Sequence, residues 1–350
     1  MYTKLIFSHF LHYLSFTIIC LSLISCETEN KNIFKRTQFI MGTLVEISIQ
    51  ESNKKLAQKA ITKSFNEMSR LEKIMSSYLP DSELTRFNSL AGGEVKVPVS
   101  PDLLKVVQRG VYWGKLSNGA IDISIGPAIK LWEFNSERPI IPDKKNLVDA
   151  AKFINYKDII IEGNSISLKK KGMSLNLGAI GKGFAVDQAI RELKKLGIKS
   201  GLINAGGDLR AFGLITGKRP WHIGIQHPRK PEQIIVSLDI KDKGIATTGD
   251  YQRYFIKNKA RYHHILNPQN GWPTNKTISA TVVADTVMDA DALSTALFIL
   301  GTKKGIDFIN SLDRVEGMIV SDRGYASYSS GFHNVSGFSL LGLKNNFITK

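Results

Sequence analysis

Cysteine is almost missing from this chain. Cys20 and Cys26 are the only two, and both lie close to the start. The body that follows therefore has no disulfide framework, no thiolate metal site and no thiol nucleophile. The phosphate-binding signatures are also absent where they would be sought first. The stretch "NLGAIGKGFAVDQAI", Asn176 to Ile190, sets glycines 178, 181 and 183 around Lys182. It is not G-x-x-x-x-G-K-[ST], because Gly183 follows the lysine and the metal-binding hydroxyl is missing, and it is not G-x-G-x-x-G. If this turn handles phosphate, the metal must be held from elsewhere in the chain. No low-complexity segment and no linker divides the sequence, so residues 37–350 are expected to form one domain with an ample core.

What the chain does have begins with a leader. Lys4 precedes a long apolar stretch, "LIFSHFLHYLSFTIICLSLIS", which ends at small Ser25 before Cys26. A charged start, an apolar middle and a small residue at the cut describe a secretory signal over residues 1–25. Leu23, Ser25 and Cys26 in "LISC" resemble the bacterial lipoprotein box. That resemblance implies cleavage before Cys26, its lipidation, and a polar tether over residues 26–36. The expectation is an exported protein, lipid-anchored to a bacterial membrane and facing the periplasm; several acyl chains make such an anchor stable. The formal charge of +16 would suit nucleic acid, anionic lipid or an anionic small ligand. Export argues for no nucleic acid, and the lysines are scattered in short runs such as "SNKK" and "SLKKKG" that read as solvated edges.

Helical and strand patterns are mixed without strict alternation, which gives α+β as the fold class. "TQFIMGTLVEISIQ" alternates apolar and polar residues as a strand does. Ser52 precedes a helical pattern to about Ser77, and "YLPDSELTRFNSLAGGE" reads as a turn-rich connection. Ser100-Pro101 is a helix start, and Asn118-Gly119 is its stop. "KDIIIEGNSISLKKKG" reads as a hairpin around Gly163-Asn164. Val186, Ala189, Ile190, Leu193 and Leu196 follow helical spacing up to Gly197. Strands are expected in "GLINAGGDLRAFG", "WHIGIQHP" and "IIVSLDIKDKGIATTG", and helices over about Asp289–Leu300 and from near Lys303.

Two segments carry candidate chemistry. "ADTVMDADALSTALFILG" has aspartates at 285, 289 and 291, with Asp291 and Thr295 on one helix face at i, i+4. A carboxylate and a hydroxyl there could hold a hard cation, backbone carbonyls and phosphate oxygens completing the shell; the aspartates could equally serve the helix dipole. "YHHILNPQNGWPT" puts paired histidines at a strand end before a turn. A histidine there suits general base work with its ordinary pKa, although a surface histidine fits the same pattern. A zinc site on the pair is disfavoured, because neighbouring residues on a strand point to opposite faces. The glycine-flanked "GAIDISIGP" and "GIATTGDYQRYF" would let a backbone approach a flat ligand.

Taken in order, "MGTLVEI", "YLPDSELTRFN", "GAIDISIGPAIKLW", "NLGAIGKGFAVD", "NAGGDLRAFG", "ATTGDYQRYF", "YHHILNP" and "DADALSTALF" resemble the ApbE family, the FAD:protein FMN transferases, over nearly the whole sequence after the leader. Members often have Asp where Asn176 stands and PxTGxP where this chain reads "PQNGWP". The resemblance implies an ApbE-like fold and a Mg2+-dependent transfer of FMN from FAD to a threonine or serine hydroxyl, releasing AMP. It implies FAD contacts at Met41, Tyr78, Ala120, Ile121, Asp122, Asn176, Lys182 and Ile265, and magnesium ligands at the Ala179 carbonyl, Asp291 and Thr295. On this reading the hydroxyl missing from the glycine turn comes from Thr295, Lys182 adds charge near the phosphates, and His264 rather than His263 is the base. The implied partner is an acceptor flavoprotein subunit of a membrane redox complex. Hydrolysis of FAD to FMN and AMP, or a flavin-binding lipoprotein without chemistry, are the alternatives.

Overall fold

In the computed structural model, residues 32–132, 134 and 138–341 are described. The expected leader, Cys26 and residues 26–31 of the expected tether lie outside them. The remaining tether residues do not form a tether. "NIFKRTQFI" is the strand Asn32–Ile40, at the edge of the main sheet beside Thr43–Glu51. The single strand expected across Met41 is likewise two strands. Met41 and Gly42 both have positive φ, 55° and 71°, so the chain reverses there while its period-2 alternation continues on either side.

That sheet has eight strands. Their spatial order is Asn32–Ile40, Thr43–Glu51, Gly201–Ala205, Asp208–Phe212, Gly244–Gly249, Thr277–Ala284, Glu316–Ser321 and Ala326–Tyr328. The pairings with a defined register are antiparallel. Thr277–Ala284 is buried along its whole length, because the sheet is covered on both faces. Its Ala280, Val282 and Ala284 belong to the core shared with the long helices, whereas Ile278 and Val283 face a second core. That second core is closed by a three-stranded sheet of Trp221–His227, Lys230–Ile240 and Ser339–Leu340.

The helical side rests on Lys54–Met75, Gly181–Lys195 and Val287–Leu300. The first is capped by Asn53, whose side chain accepts from the Leu56 N–H, one residue later than expected. Ser100 and Pro101 start the helix Pro101–Leu116 as their chemistry predicts. Gly197, at φ 85°, follows the end of Gly181–Lys195. The connection after Tyr78 differs from expectation: it contains the helix Glu83–Leu90, capped by Ser82 accepting from the Thr85 N–H at 3.0 Å. Val287–Leu300 is buried around nearly its whole circumference. A carboxylate on such a helix cannot reach water and must find partners inside the protein. The architecture is α+β, as the mixed pattern implied.

Candidate active site

Gly181–Lys195 and Val287–Leu300 meet at their N-terminal ends. A Cβ at Gly183 would stand 2.3 Å from the Val287 carbonyl oxygen, so only glycine allows this approach. The contact brings the Gly183 N–H to Asp291, whose Oδ2 accepts it at 3.0 Å. The helical partner for that N–H would be the Ala179 carbonyl, four residues back. Among the described residues no backbone hydrogen bond ends on that carbonyl. Asp187 closes the junction from the other side, accepting from the Met288 N–H at 3.0 Å and pairing with Arg210.

Lys182 lies in the same junction. Its Nζ is 2.7 Å from Asp208 Oδ2 and 3.5 Å from Asp291 Oδ1. Burial opposes its charge, but the two carboxylates outweigh burial and hold its pKa above the ordinary lysine value. Burial, and then the charge of Asp291, push Asp208 up to about 7 against the pull of Lys182. Asp291 is also raised, by burial, with Lys182 and the Gly183 N–H acting against it. Thr295, one turn beyond Asp291, is 3.3 Å from Thr248 at the hydroxyl oxygens, and Thr248 is 2.8 Å from Ser294.

The three aspartates of "ADTVMDAD" separate cleanly. Asp289 accepts from Arg109 Nε at 2.6 Å and Trp113 Nε1 at 2.7 Å. Asp285 pairs with Lys243 and Arg314. Only Asp291 enters the junction.

The paired histidines also separate. His263 Nε2 donates to the Thr274 carbonyl at 2.6 Å, and its Nδ1 accepts from the Ile265 N–H at 3.2 Å. Both ring nitrogens are spent, and the ring lies edge-on to Phe298. His264 Nδ1 donates to the Arg253 carbonyl at 3.2 Å, and no hydrogen bond occupies Nε2 among the described residues. That tautomer leaves a basic lone pair on Nε2. The expectation of an ordinary pKa is overturned: burial, and then the Arg253 guanidinium, push His264 down to about 3. The ring is neutral across the physiological range. Arg253 also reaches the Met41–Gly42 turn, donating to the Gly42 carbonyl at 3.3 Å.

The other expected contacts each have partners of their own. The Met41 N–H donates to Glu72 at 2.8 Å, fixing the turn. Asn176 Oδ1 accepts from the Gly178 N–H at 2.9 Å, and its Nδ2 donates to Ser77 Oγ at 2.9 Å, beside exposed Tyr78. The first bond suits Asp or Asn equally; in the second the amide donates, where an Asp would instead accept from the Ser77 hydroxyl. Ala120, Ile121 and Ile265 are buried. The Asp122 carboxylate is turned inward, accepting from Ser124 N–H and Oγ and from the Tyr156 N–H. Its side chain holds two loops together and is not turned toward a ligand. A cavity lined by Gly119, Asp122, Tyr156 and Gln269 contains none of Lys182, Asp291 or His264. Asp208, Thr248 and Arg253 were not singled out from sequence, although "NAGGD" and "ATTGDYQR" contain them; a carboxylate after two glycines was the available signal.

A junction of two helix starts with a carboxylate, a lysine and a free backbone carbonyl has the chemistry to take an anion and a cation together. The comparisons with known proteins give the family. The ApbE family profile matches residues 41–319, and the chain belongs to that family. A relative from Haemophilus influenzae named FAD:protein FMN transferase is 31% identical over 330 residues, covering 89% of this chain and 93% of its own. One of the same name from Vibrio cholerae is 34% identical over 261 residues, covering 73% and 78%. Among solved structures, the ApbE protein of Thermotoga maritima superposes with a TM-score of 0.81 at 29% identity, covering 87% of this chain and 99% of its own. The apo flavinyl transferase ApbE of Pseudomonas stutzeri gives 0.79 at 27%, covering 89% and 98%.

Proposed function

We propose that the protein is a transferase that moves FMN from FAD to a threonine or serine hydroxyl of an acceptor protein, forming a phosphoester and releasing AMP. The observation that carries this reading is the Lys182–Asp291–Gly183 junction, with the Ala179 carbonyl open beside it, in a chain of this family.

The donor set fits Mg2+. Among the described residues no cluster of three His, Cys, Asp or Glu side chains exists, so a metal here would have one carboxylate, one hydroxyl and one carbonyl from the protein. Magnesium suits such a sparse, all-oxygen set, because it keeps waters and takes phosphate oxygens as ligands. Asp291, Thr295 and the Ala179 carbonyl would hold it. Bound there, it would offset charge at the FAD pyrophosphate as a Lewis acid. Lys182 adds a second cation, and Asp208 orients that lysine.

His264 Nε2 accepts the proton of the acceptor hydroxyl. The hydroxyl oxygen attacks the FMN-side phosphorus, the bond from that phosphorus to the AMP oxygen breaks, and AMP leaves with the electron pair. A ring already neutral needs no deprotonation before it can accept. The arrival of an anionic pyrophosphate beside Arg253 and Lys182 raises its basicity, since opposite charge favours the imidazolium. Mass spectrometry of a candidate acceptor after incubation with FAD and Mg2+ tests the reading: a gain of one FMN on a threonine or serine supports it, and FMN released only into solution rejects it.

In the same reading the acceptor is a flavoprotein subunit of a membrane redox complex, and the enzyme is exported and held to the membrane through a lipid on Cys26. "LISC" supports the anchor. No helix of the described residues is long and apolar enough to cross a membrane. Cys26→Ser should move the protein from the membrane to the soluble exported fraction; continued sedimentation with membranes would place the anchor elsewhere.

A further inference from the structure

The hairpin that delivers His264 has features that base catalysis does not use. Its strands, Tyr254–Lys257 and Ala260–His263, form a sheet of their own. Asn258 and Lys259, both at positive φ (52° and 63°), close it as a tight two-residue turn. The His264 N–H donates to the Arg253 carbonyl at 3.2 Å, so hydrogen-bonded pairs fall at Arg253, Phe255 and Lys257. The backbone N–H and C=O groups of Tyr254 and Ile256 therefore point away from the partner strand. Among the described residues no backbone hydrogen bond satisfies them. The side chains of Tyr254 and Ile256 are also exposed, by 41% and 63%. A free edge carrying exposed apolar residues is what strand-adding partners use.

The charge on the hairpin itself has one sign, while Glu72 sits at the Met41 turn beside it. From Tyr251 to Ala284 the sequence contains no Asp or Glu, whereas the hairpin and its base carry Arg253, Lys257, Lys259 and Arg261. None of these four has an ion-pair partner among the described residues. Arg261 instead lies over the Tyr254 ring at 3.9 Å. The Arg253–Gly42 contact joins the hairpin to the Met41–Gly42 turn, on either side of which Phe39 and Leu44 are 68% and 64% exposed.

We propose that this hairpin edge, with the Phe39–Leu44 turn, is the docking surface for the acceptor protein, and that it takes an extended acidic segment carrying the hydroxyl to be modified. The inference rests on the transferase reading. A strand added along Tyr254–Ile256 runs beside Arg253, whose carbonyl holds His264, so docking brings a hydroxyl toward the base. Basic side chains select an acidic segment and speed its capture.

The test uses three synthetic 15-residue peptides, each with one central threonine flanked by aspartate, serine or lysine. They are incubated with the purified protein, FAD and Mg2+ at low salt. Peptide mass and FAD consumption are followed in parallel. The unaltered protein should label the aspartate peptide about tenfold faster than the lysine peptide, with the preference fading as salt screens it. Lys257→Glu/Lys259→Glu changes two exposed side chains and should abolish or reverse that preference, leaving FAD consumption without peptide unchanged. Equal labelling of all three peptides, or an unaltered preference in the double variant, overturns the proposal. So does the absence of any labelling while FAD is bound and consumed, which leaves the FAD chemistry standing. Failure to bind or consume FAD at all removes the transferase reading and the docking proposal with it. If the double variant loses binding to phosphatidylglycerol vesicles but keeps the peptide preference, the basic edge faces a membrane and the proposal is overturned.

Discussion

Asp291 belongs to a helix that is buried on nearly every side, while His264 is carried by a two-stranded hairpin with a free edge. The Asp291 end of the site is built by close packing: two helices meet where only glycine fits, Asp291, Asp187 and Lys182 cross-link them, and Arg210 braces Asp187 from the sheet. The hairpin end is built by local hydrogen bonds, with the Arg253 carbonyl fixing one ring nitrogen and Arg253 itself bridging to Gly42. The difference suits the two tasks of the proposed reaction. Binding a pyrophosphate needs groups that do not move, because a cation and its ligands lose most of their value when displaced. Accepting a second, protein substrate needs an approach from solvent, which a buried helix junction cannot offer.

The largest expected effect comes from the rigid end. Asp291→Asn keeps the shape but removes the charge that a metal needs. Turnover should fall by about three orders of magnitude, the several kcal/mol that Lewis-acid stabilisation contributes. A folded circular dichroism spectrum with weakened Mg2+-dependent FAD binding completes the expectation. Near-normal turnover at low Mg2+ would remove Asp291 from the metal site.

Next comes the hairpin end, where the two histidines should diverge. His264→Ala should bind FAD normally and transfer FMN ~10²–10⁴-fold more slowly, the usual worth of a general base. His263→Ala strands the Thr274 carbonyl and the Ile265 N–H instead, so it should lower stability by ~1–3 kcal/mol and alter the transfer step less. Loss of FAD binding in His264→Ala, or a transfer defect in His263→Ala as large as the one in His264→Ala, would reverse the assignment.

Much of this division was legible in the sequence, and the reasons for the rest are local. Asp291 and Thr295 were readable as one helix face because helical spacing is fixed. That Asp289 turns to Arg109 and Trp113 was not, since those partners lie far away in the chain. The Met41 turn was hidden by an alternation that persists on both sides of it, with Gly42 the one sign of a break. The helix Glu83–Leu90 was masked by the turn-forming residues before it, although Ser82 and Thr85 stand at capping distance. Asp208 stands in a strand motif, and nothing local says that Lys182 will reach it. The depressed pKa of His264 is hidden from the sequence for the same reason. Burial and the guanidinium of Arg253 are tertiary facts.

Gly183 offers a way to damage the rigid end without touching a charge. Gly183→Ala forces a methyl against the Val287 carbonyl and should cost ~1–3 kcal/mol, as overpacking does. If the junction carries Asp291's position, FAD binding should weaken along with stability, while the hairpin stays intact. A thermal-shift measurement with and without FAD and Mg2+ separates the two. Loss of stability with full ligand-induced stabilisation would show that Asp291 does not depend on the close approach.

The smallest expected effect concerns pH, and it bears on the hairpin end alone. His264 takes up its proton only near pH 3 in the folded chain, against about 6.5 for an unperturbed ring. Between those values the unfolded chain binds the proton and the folded chain does not. Stability therefore rises with pH across that window; it is fully present above about 6.5 and is lost as pH falls toward 3. One such group contributes at most about 1.4 kcal/mol per pH unit. Asp208, raised to about 7, acts with the opposite sign between about 3.8 and 7, so the whole-protein slope mixes the two. The difference between the parent and His264→Ala isolates the histidine: the variant should lose stability less steeply from pH 6.5 to 4 in denaturant titrations. The same depression predicts that kcat/KM for FAD, which reports the free enzyme, shows no acid limb near 6.5. A limb there, or parallel stability slopes in the two proteins, would mean that His264 is an ordinary solvated histidine and that the Arg253 contact does not hold it in the site.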